Sequence, residues 1–215
     1  MDLALQERLD RNYRYQRRVY DLTRRYYLLG RNRLIADLAP PDRGCVLEIG
    51  CGTARNLVAC AHRYPTVDLY GVDLSRAMLE TAGRKLERHG MRGRIMLGHG
   101  DAENFDAQRL FGVTKFDRII ISYALSMIPS WRGALRHAVG QLVPGGELHV
   151  VDFGTGHGLP VPANSALRAW LAHFHVTPRD ELGPVMREIS SERGAGLDIE
   201  PLYRGYAVRA VLTAP

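Results

Sequence analysis

Short apolar runs alternate with helix-length segments through most of this chain, and this alternation limits its fold more than any other feature. Beyond Pro40 and Pro41 the runs have the length of strands. They are CVLEI, VDLYGVD, RIMLG, FDRIIIS and ELHVVDF, at residues 45–49, 67–73, 94–98, 116–122 and 147–153. The segments between them, such as 75–89 and 130–142, are long enough for helices that connect parallel strands. We therefore predict an α/β fold with helices on both faces of a mostly parallel sheet.

The end of the chain predicts a different kind of connection. The apolar runs LDIEPLY at 197–203 and YAVRAVLT at 206–213 are separated only by Arg204 and Gly205. Because so short a connection joins antiparallel strands, these runs predict a C-terminal hairpin. Together with the five earlier runs, it gives a predicted sheet of seven strands.

Size and cysteine content narrow the class of protein. A chain of 215 residues with 46% hydrophobic residues can bury one sizeable core. Its start lacks the apolar segment of a secretory signal, and no stretch reaches the roughly 20 apolar residues that span a bilayer. The three cysteines, Cys45, Cys51 and Cys60, have neither disulfide-framework nor zinc-site spacing. We expect reduced thiols, a cytoplasmic protein and no metal site.

The amino-terminal 41 residues differ in pattern from the rest. Between Arg8 and Arg33 there are nine arginines and only two aspartates. The net positive charge of this segment therefore exceeds the net charge of +6 of the whole chain. Tyrosines recur at seven-residue spacing up to Tyr27, and a second apolar stripe follows Gly30. We predict a helical cap over 1–41 and a main domain over 42–215. An amphipathic basic helix suits the surface of an anionic leaflet, so we expect peripheral membrane contact there.

One turn carries the strongest indication of a ligand. In VLEIGCGTA, at 46–54, a predicted strand runs into Gly50 and Gly52, which lets a ligand approach the backbone closely. The next strand ends at Asp73, where a carboxylate can accept hydrogen bonds from both hydroxyls of a ribose. Arg55 occupies the position where a dinucleotide site needs a small residue, and Glu48 adds negative charge that favours a cationic ligand. These residues predict a sulfonium nucleoside cofactor.

With three further motifs, GHGDAENF, FDRIIISYALSMIP and LVPGGELHVVDFG, the chain resembles the class I S-adenosylmethionine-dependent methyltransferases from about residue 43 to 213. The resemblance implies a Rossmann-like sheet and S-adenosylmethionine as the cofactor. Tyr20, on the predicted cap, is a candidate for closing over the cofactor. The other cofactor-binding residues, which the resemblance implies, are Glu48, Gly50, Cys51, Gly52, Thr53, Asp73, Leu74, Met78, Asp101, Ala102, Glu103 and Ser122.

A narrower resemblance concerns the acceptor. The segments YDLTRRYYLLGRNRLI, at 20–35, and HVTPR, at 175–179, are similar to bacterial betaine-lipid methyltransferases. That family trimethylates the amino group of diacylglyceryl-homoserine, which implies a lipid N-methyltransferase at the inner leaflet. A phosphatidylethanolamine or quinone methyltransferase, and a nucleotide-binding module without catalysis, remain alternatives. We expect no nucleic-acid partner, because no Pro-Pro-aromatic loop follows the fourth predicted strand.

Methyl transfer to an amine needs alignment, stabilisation of positive charge and removal of protons. Aromatic rings stabilise a cation, so Tyr20 and Tyr123 are candidates for contact with the reacting groups. Asp152 and His175 are candidate bases, and His149 is a further one. Each has an alternative, purely structural interpretation as a packed side chain.

Overall fold

The computed structural model describes residues 28–174 and 176–215, and within them it contains one seven-stranded sheet. The predicted strand positions are confirmed to within a few residues, except that β5 begins earlier than predicted. The additional residues are 142–146. Leu142 pairs with Phe116 of β4, and a register shift separates this pair from the main pairing, which begins at Arg118 and Glu147. The strands are β1 Cys45–Ile49, β2 Asp68–Asp73, β3 Ile95–His99, β4 Phe116–Ser122, β5 Leu142–Phe153, β6 Gly196–Leu202 and β7 Ala207–Thr213.

The strand order is β3-β2-β1-β4-β5-β7-β6. The first five strands along the chain pair in parallel, whereas β7 runs antiparallel to both β5 and β6. This arrangement confirms the predicted Rossmann-like sheet with its C-terminal antiparallel hairpin. The chain order reverses at β1, and ligands of open α/β sheets bind at such a switch point beyond the carboxyl ends of the strands.

Helices cover both faces of the sheet, and two apolar cores lie beneath them. One core contains Leu34, Leu57 and Leu86, and the other contains Phe111 and Leu135. The parallel strands are buried from both sides, which explains their nearly continuous apolar sequences. The helices are α1 Arg31–Asp37, α2 Arg55–Arg63, α3 Arg76–Arg88, α4 Ala107–Phe111, α5 Trp131–Gly140, α6 Val161–His173 and α7 Leu182–Arg193.

The described part of the predicted cap belongs to the core of the domain. Gly30, at φ +83°, precedes α1, and the α1 side chain of Leu34 is fully buried, as is Leu38 just after the helix. The second apolar stripe of the sequence therefore packs against the sheet. The earlier part of the cap lies outside the described residues.

Within the described ranges, no helix has the length and apolarity needed to cross a membrane.

Candidate functional site

The glycine turn after β1 forms the centre of the site. The amide nitrogens of Gly50 and Cys51 both donate to the carbonyl of Val72, which ties the turn to the end of β2. Gly50 has φ +71°, and a Cβ atom at this position would lie 2.6 Å from the Cβ of Ala124. Glycine is therefore required twice, by the backbone conformation and by the close approach of the chain that follows β4.

A cleft of about 170 Å³ opens beside this turn. One side consists of polar residues at the ends of the first three strands, and the other of apolar residues from the chain after β4, including Met127 and Ile128. The structure thus brings most of the predicted cofactor residues to one place. Those that line this cleft are Gly50, Gly52, Asp73, Leu74, Met78, Asp101, Ala102 and Glu103.

Asp73 shapes the centre of this cleft. Its carboxylate accepts hydrogen bonds from the amide nitrogens of Gly52, at 2.7 Å, and Ser75, at 2.8 Å. These bonds fix the glycine turn and the start of α3 around one carboxylate. An ionised carboxylate has about four acceptor positions, so Asp73 can also accept bonds from a ligand's hydroxyl groups.

A second, smaller cleft adjoins the first, and both are lined by Gly50 and Gly52. It contains the other predicted cofactor residues of the described chain, namely Glu48, Cys51, Thr53 and Ser122. Glu48 Oε1 accepts a hydrogen bond from Asn56 Nδ2 at 2.6 Å. Among the described residues, Glu48 Oε2, Asn56 Oδ1 and Ser122 Oγ are buried and have no hydrogen-bond partner. Such atoms are rare in native proteins and indicate a polar ligand or ordered water.

The charge of the small cleft depends on the ionisation of Glu48. Burial raises the pKa of Glu48 to about 8, while the hydrogen bond from Asn56 and the charge of Arg31 oppose this rise. Nearby Asp73 adds to the rise. A bound cationic group would favour the ionised carboxylate and satisfy its second oxygen. Arg31 lines the same cleft, so an anionic group has a counter-charge there as well.

Tyr123 is buried in the domain core. It follows β4 directly, at φ +53°, and it is only 1% exposed. Its hydroxyl donates to the carbonyl of Leu29 at 2.5 Å, and its ring packs edge-on against Phe153. Burial raises its pKa above the ordinary value. The geometry gives Tyr123 a positioning role for the chain around it, and the predicted contact with the acceptor stays a prediction.

The two candidate bases within the described residues, Asp152 and His149, line neither cleft. Asp152 is fully buried and accepts hydrogen bonds from the amides of Ser126, at 3.2 Å, and Phe153, at 2.8 Å. Burial raises its pKa to about 6. His149 is buried in β5 beside Glu147. Tyr20 and His175 lie outside the described residues, so their roles remain predictions.

Sequence reasoning missed several residues of the site. Asn56 holds Glu48 from the first turn of α2, and Arg31 reaches the small cleft from the start of α1. The sequence showed Arg31 only as one of many arginines. In the sequence, the apolar residues 127–129 come just after the fourth predicted strand. That they form one wall of the larger cleft depends on the left-handed backbone at Tyr123, which no periodicity reveals.

Known proteins are similar to this chain at the level of family and fold. A family model described as a methyltransferase domain matches residues 46–146. A carboxy-S-adenosyl-L-methionine synthase from Campylobacter hominis is 34% identical over 87 residues, which are 40% of this chain and 34% of that protein. A ubiquinone/menaquinone biosynthesis C-methyltransferase from Syntrophotalea carbinolica is 29% identical over 167 residues, which are 74% of this chain and 65% of that protein. The chain thus spans less than two thirds of the length of these relatives.

Solved structures share the fold over nearly the whole chain. In the complex between the Haloferax volcanii Trm112 methyltransferase activator and a putative methyltransferase, one chain superposes with a TM-score of 0.71 at 15% identity. The match covers 96% of this chain and 98% of that one. At this identity the likeness concerns the fold alone.

Proposed function

We propose that this chain, with its class I methyltransferase fold and its methyltransferase domain at 46–146, transfers methyl groups from S-adenosylmethionine to the amino group of a lipid headgroup. The family match supports the methyltransferase class and its cofactor. The acceptor we favour is diacylglyceryl-homoserine, which would be methylated successively to a trimethylated betaine lipid.

The observation that carries the cofactor assignment is the buried Glu48 carboxylate, with one oxygen that has no partner among the described groups. S-adenosylmethionine ends in an amino acid, so it offers an ammonium and a carboxylate side by side. Glu48 and Arg31 line the small cleft and are complementary to these two charges. The fit therefore rests on the donor and acceptor types that the chain itself presents.

The larger cleft suits the remaining parts of the cofactor. Asp73 can accept bonds from the ribose hydroxyls, and the apolar wall at Met127 and Ile128 can pack against the adenine ring. The lining, which belongs entirely to described residues, contains the carboxylates of Asp73, Asp101 and Glu103 and no lysine or arginine. A pyrophosphate would be repelled by this charge, whereas a sulfonium is attracted.

When bound, S-adenosylmethionine supplies an electrophilic methyl group on a positively charged sulfur. An acceptor amine would form its bond to this methyl carbon as the carbon–sulfur bond breaks, and sulfur would keep the electron pair. The protein's part is alignment and exclusion of water, because an in-line displacement depends mainly on position. After each of the first two transfers the new ammonium must release a proton to water or to a base.

The assignment of the acceptor rests on the similarity of the segment at 20–35 to betaine-lipid methyltransferases. Its described part, from Leu28 to Ile35, reaches the functional site, since Leu28 and Arg31 line the small cleft. In the same segment, the Leu29 carbonyl accepts a hydrogen bond from the Tyr123 hydroxyl. This placement supports a role for the segment at the amino-acid end of the cofactor, while the choice of acceptor rests on the resemblance itself. We further propose that the basic residues of 1–41 bring the enzyme to an anionic membrane surface.

Methylation assays test the proposal. The purified full chain is incubated with S-adenosylmethionine labelled on the methyl group and with vesicles that contain diacylglyceryl-homoserine, phosphatidylethanolamine or demethylmenaquinone. We expect label in the homoserine lipid, with mono-, di- and trimethylated products in order. Asp73→Ala is the matched control, because it removes the ribose acceptor and should abolish labelling. Label confined to the quinone would contradict the proposed acceptor and leave the methyltransferase assignment intact.

Quinone C-methylation is the second candidate. It is favoured by the relative from Syntrophotalea carbinolica, whose name states that activity and which aligns with 74% of this chain. The quinone arm of the same assay decides between the two acceptors.

A further inference from the structure

The larger cleft, which we call the cofactor cleft, has one wall that does not belong to the central strands. Ala124, Met127, Ile128, Pro129 and Ser130 form it, at the chain that follows β4 and leads to α5. A 3₁₀ turn at Leu125–Met127 sets the direction of this wall. So short a turn makes few hydrogen bonds of its own, and its position therefore depends on groups that hold it from outside.

Arg179 holds this turn from a distant part of the chain. Its Nε donates to the carbonyl of Leu125 at 2.9 Å, and its Nη2 donates to the carbonyl of Ile128 at 2.8 Å. The planar guanidinium thus bridges the two ends of the turn, a geometry that a single ammonium cannot reproduce. The guanidinium carbon also lies 5.9 Å from the centre of the Trp131 ring, the first residue of α5.

Two further contacts reach the same turn from the sides. The Thr177 amide donates to the carbonyl of Ser126 at 3.0 Å, so the segment around Arg179 makes a second attachment. From β5, the buried Asp152 carboxylate accepts the Ser126 amide. The turn is therefore fixed by β5 on one side and by residues 177–179 on the other, while its continuation faces the cofactor cleft.

We propose that Arg179 is a positioning residue for methyl transfer: by bridging the carbonyls of Leu125 and Ile128 it holds the apolar wall of the cofactor cleft in its productive place. This inference rests on the proposed function, because it assumes that the cleft holds S-adenosylmethionine. Arg179 lines neither cleft, so it acts through the wall rather than by contact with the reacting atoms.

Arg132 provides a matched control. Its guanidinium carbon lies 5.1 Å from the same Trp131 ring, on a more exposed side chain that pairs with Glu181. It makes no hydrogen bond to the 3₁₀ turn among the described contacts. Removal of Arg132 therefore takes away a cation beside Trp131 without releasing the wall.

The experiment compares the full chain with its Arg179→Ala, Arg179→Lys and Arg132→Ala variants. Calorimetry measures binding of S-adenosylhomocysteine, and turnover with diacylglyceryl-homoserine gives kcat and KM for S-adenosylmethionine. We expect Arg179→Ala to bind about tenfold more weakly and to lose between about 10-fold and 100-fold in kcat, since a misplacement of about 1 Å has effects of this size. Arg179→Lys should lie between it and the unchanged chain, because one of the two bonds can be retained.

Arg132→Ala should stay within about twofold of the unchanged chain in every parameter. Equal behaviour of Arg179→Ala and the unchanged chain would overturn the inference, as would equal losses in Arg179→Ala and Arg132→Ala. Thermal unfolding is measured for each variant, and if Arg179→Ala does not fold, the comparison of Arg179→Lys with Arg132→Ala decides. The binding arm needs no acceptor, so a wrong acceptor affects only turnover. Failure of the unchanged chain to bind S-adenosylhomocysteine would instead refute the proposed function.

Discussion

Glu48 shows how one residue links the fold to the chemistry. It sits in a central parallel strand, where burial from both faces makes an ionised carboxylate unfavourable and raises its pKa to about 8. Asn56 satisfies one oxygen, and the other remains without a partner among the described residues. A bound cation would stabilise the ionised form of such a side chain. Ligand binding therefore explains the position of Glu48 better than a contribution to the stability of the fold does.

Glu48→Gln should weaken binding of S-adenosylhomocysteine by about 1.5 to 3 kcal/mol, because it removes a charge-assisted hydrogen bond to the ammonium. The pH dependence gives a second test. In the free protein Glu48 is mostly protonated below its pKa of about 8, and ammonium binding requires the ionised form. Affinity should therefore rise between about pH 6 and about pH 8, by up to tenfold per pH unit, with release of a proton on binding.

The Gln variant cannot ionise, so its affinity should be nearly flat over that range. Calorimetry in two buffers of different ionisation enthalpy measures both the affinity and the proton release. An equal slope in the two proteins would mean that Glu48 does not meet the ammonium.

At Tyr123 the structure favours positioning over direct chemistry. Tyr123→Phe removes the hydroxyl that donates to Leu29 and leaves that carbonyl without its donor. We expect a loss of about 1 to 3 kcal/mol in the free energy of unfolding and less than about a tenfold fall in kcat. Chemical denaturation and turnover measure the two effects. A loss of activity by several orders of magnitude in a fully folded variant would instead support the contact with the acceptor.

The glycine turn is the element on which the cleft depends. Gly50→Ala adds a methyl group that would lie 2.6 Å from the Cβ of Ala124, at φ +71°. We expect it to destabilise the domain by about 1 to 3 kcal/mol and to abolish detectable cofactor binding, since the wall after β4 must move away. Gly83→Ala is the control, because Gly83 lies within α3 with open space around it. There, alanine should stabilise the helix by up to about 1 kcal/mol.

Thermal unfolding and calorimetry of both variants check this prediction. Retained binding in Gly50→Ala would show that the turn tolerates displacement.

The elements of the sheet were predictable because their signals are local. Burial on both faces gives the parallel strands continuous apolar runs, and a connection as short as the observed 203–206, which is two residues longer than predicted, permits only an antiparallel hairpin. The glycine turn, Glu48 and Asp73 were also found, since close backbone approach and strand-end acids leave a mark in sequence. The partner of Glu48, Asn56, was missed because it is an ordinary helix residue until the fold brings it close.

The apolar wall and its support by Arg179 are non-local. They depend on a left-handed residue at 123 and on hydrogen bonds that span more than 50 residues. No pattern of spacing contains such a contact. The sequence suggested Asp152 as a base, but it could not show that the carboxylate accepts hydrogen bonds from two backbone amides in the folded chain.

At the scale of the whole molecule, the basic segment proposed for membrane contact and the first helix of the folded domain are adjacent in the chain. Residues 1–27 carry seven arginines and four acidic residues, while α1, which follows them, is packed in the core. A truncation that tests membrane contact should therefore end before Leu28, because removal of α1 would expose Leu34 and destabilise the domain.

Deletion of residues 1–27 should reduce association with anionic vesicles, with a contribution of roughly 1 kcal/mol from each basic residue near the surface. The unfolding temperature should change little. Vesicle sedimentation at two salt concentrations, with neutral phosphatidylcholine vesicles as the control, measures the effect. Undiminished, salt-sensitive binding after the deletion would assign the membrane contact to another part of the chain.

The central claim is that the two joined clefts hold S-adenosylmethionine with its amino-acid end at Glu48. A crystal structure of the full chain with S-adenosylhomocysteine tests it most directly. The account predicts the ammonium within hydrogen-bond distance of Glu48 Oε2, the ribose hydroxyls on Asp73 and the adenine beside Met127 and Ile128. Density for the ligand at any other place, or in the reverse orientation with its adenine at Glu48, would contradict it.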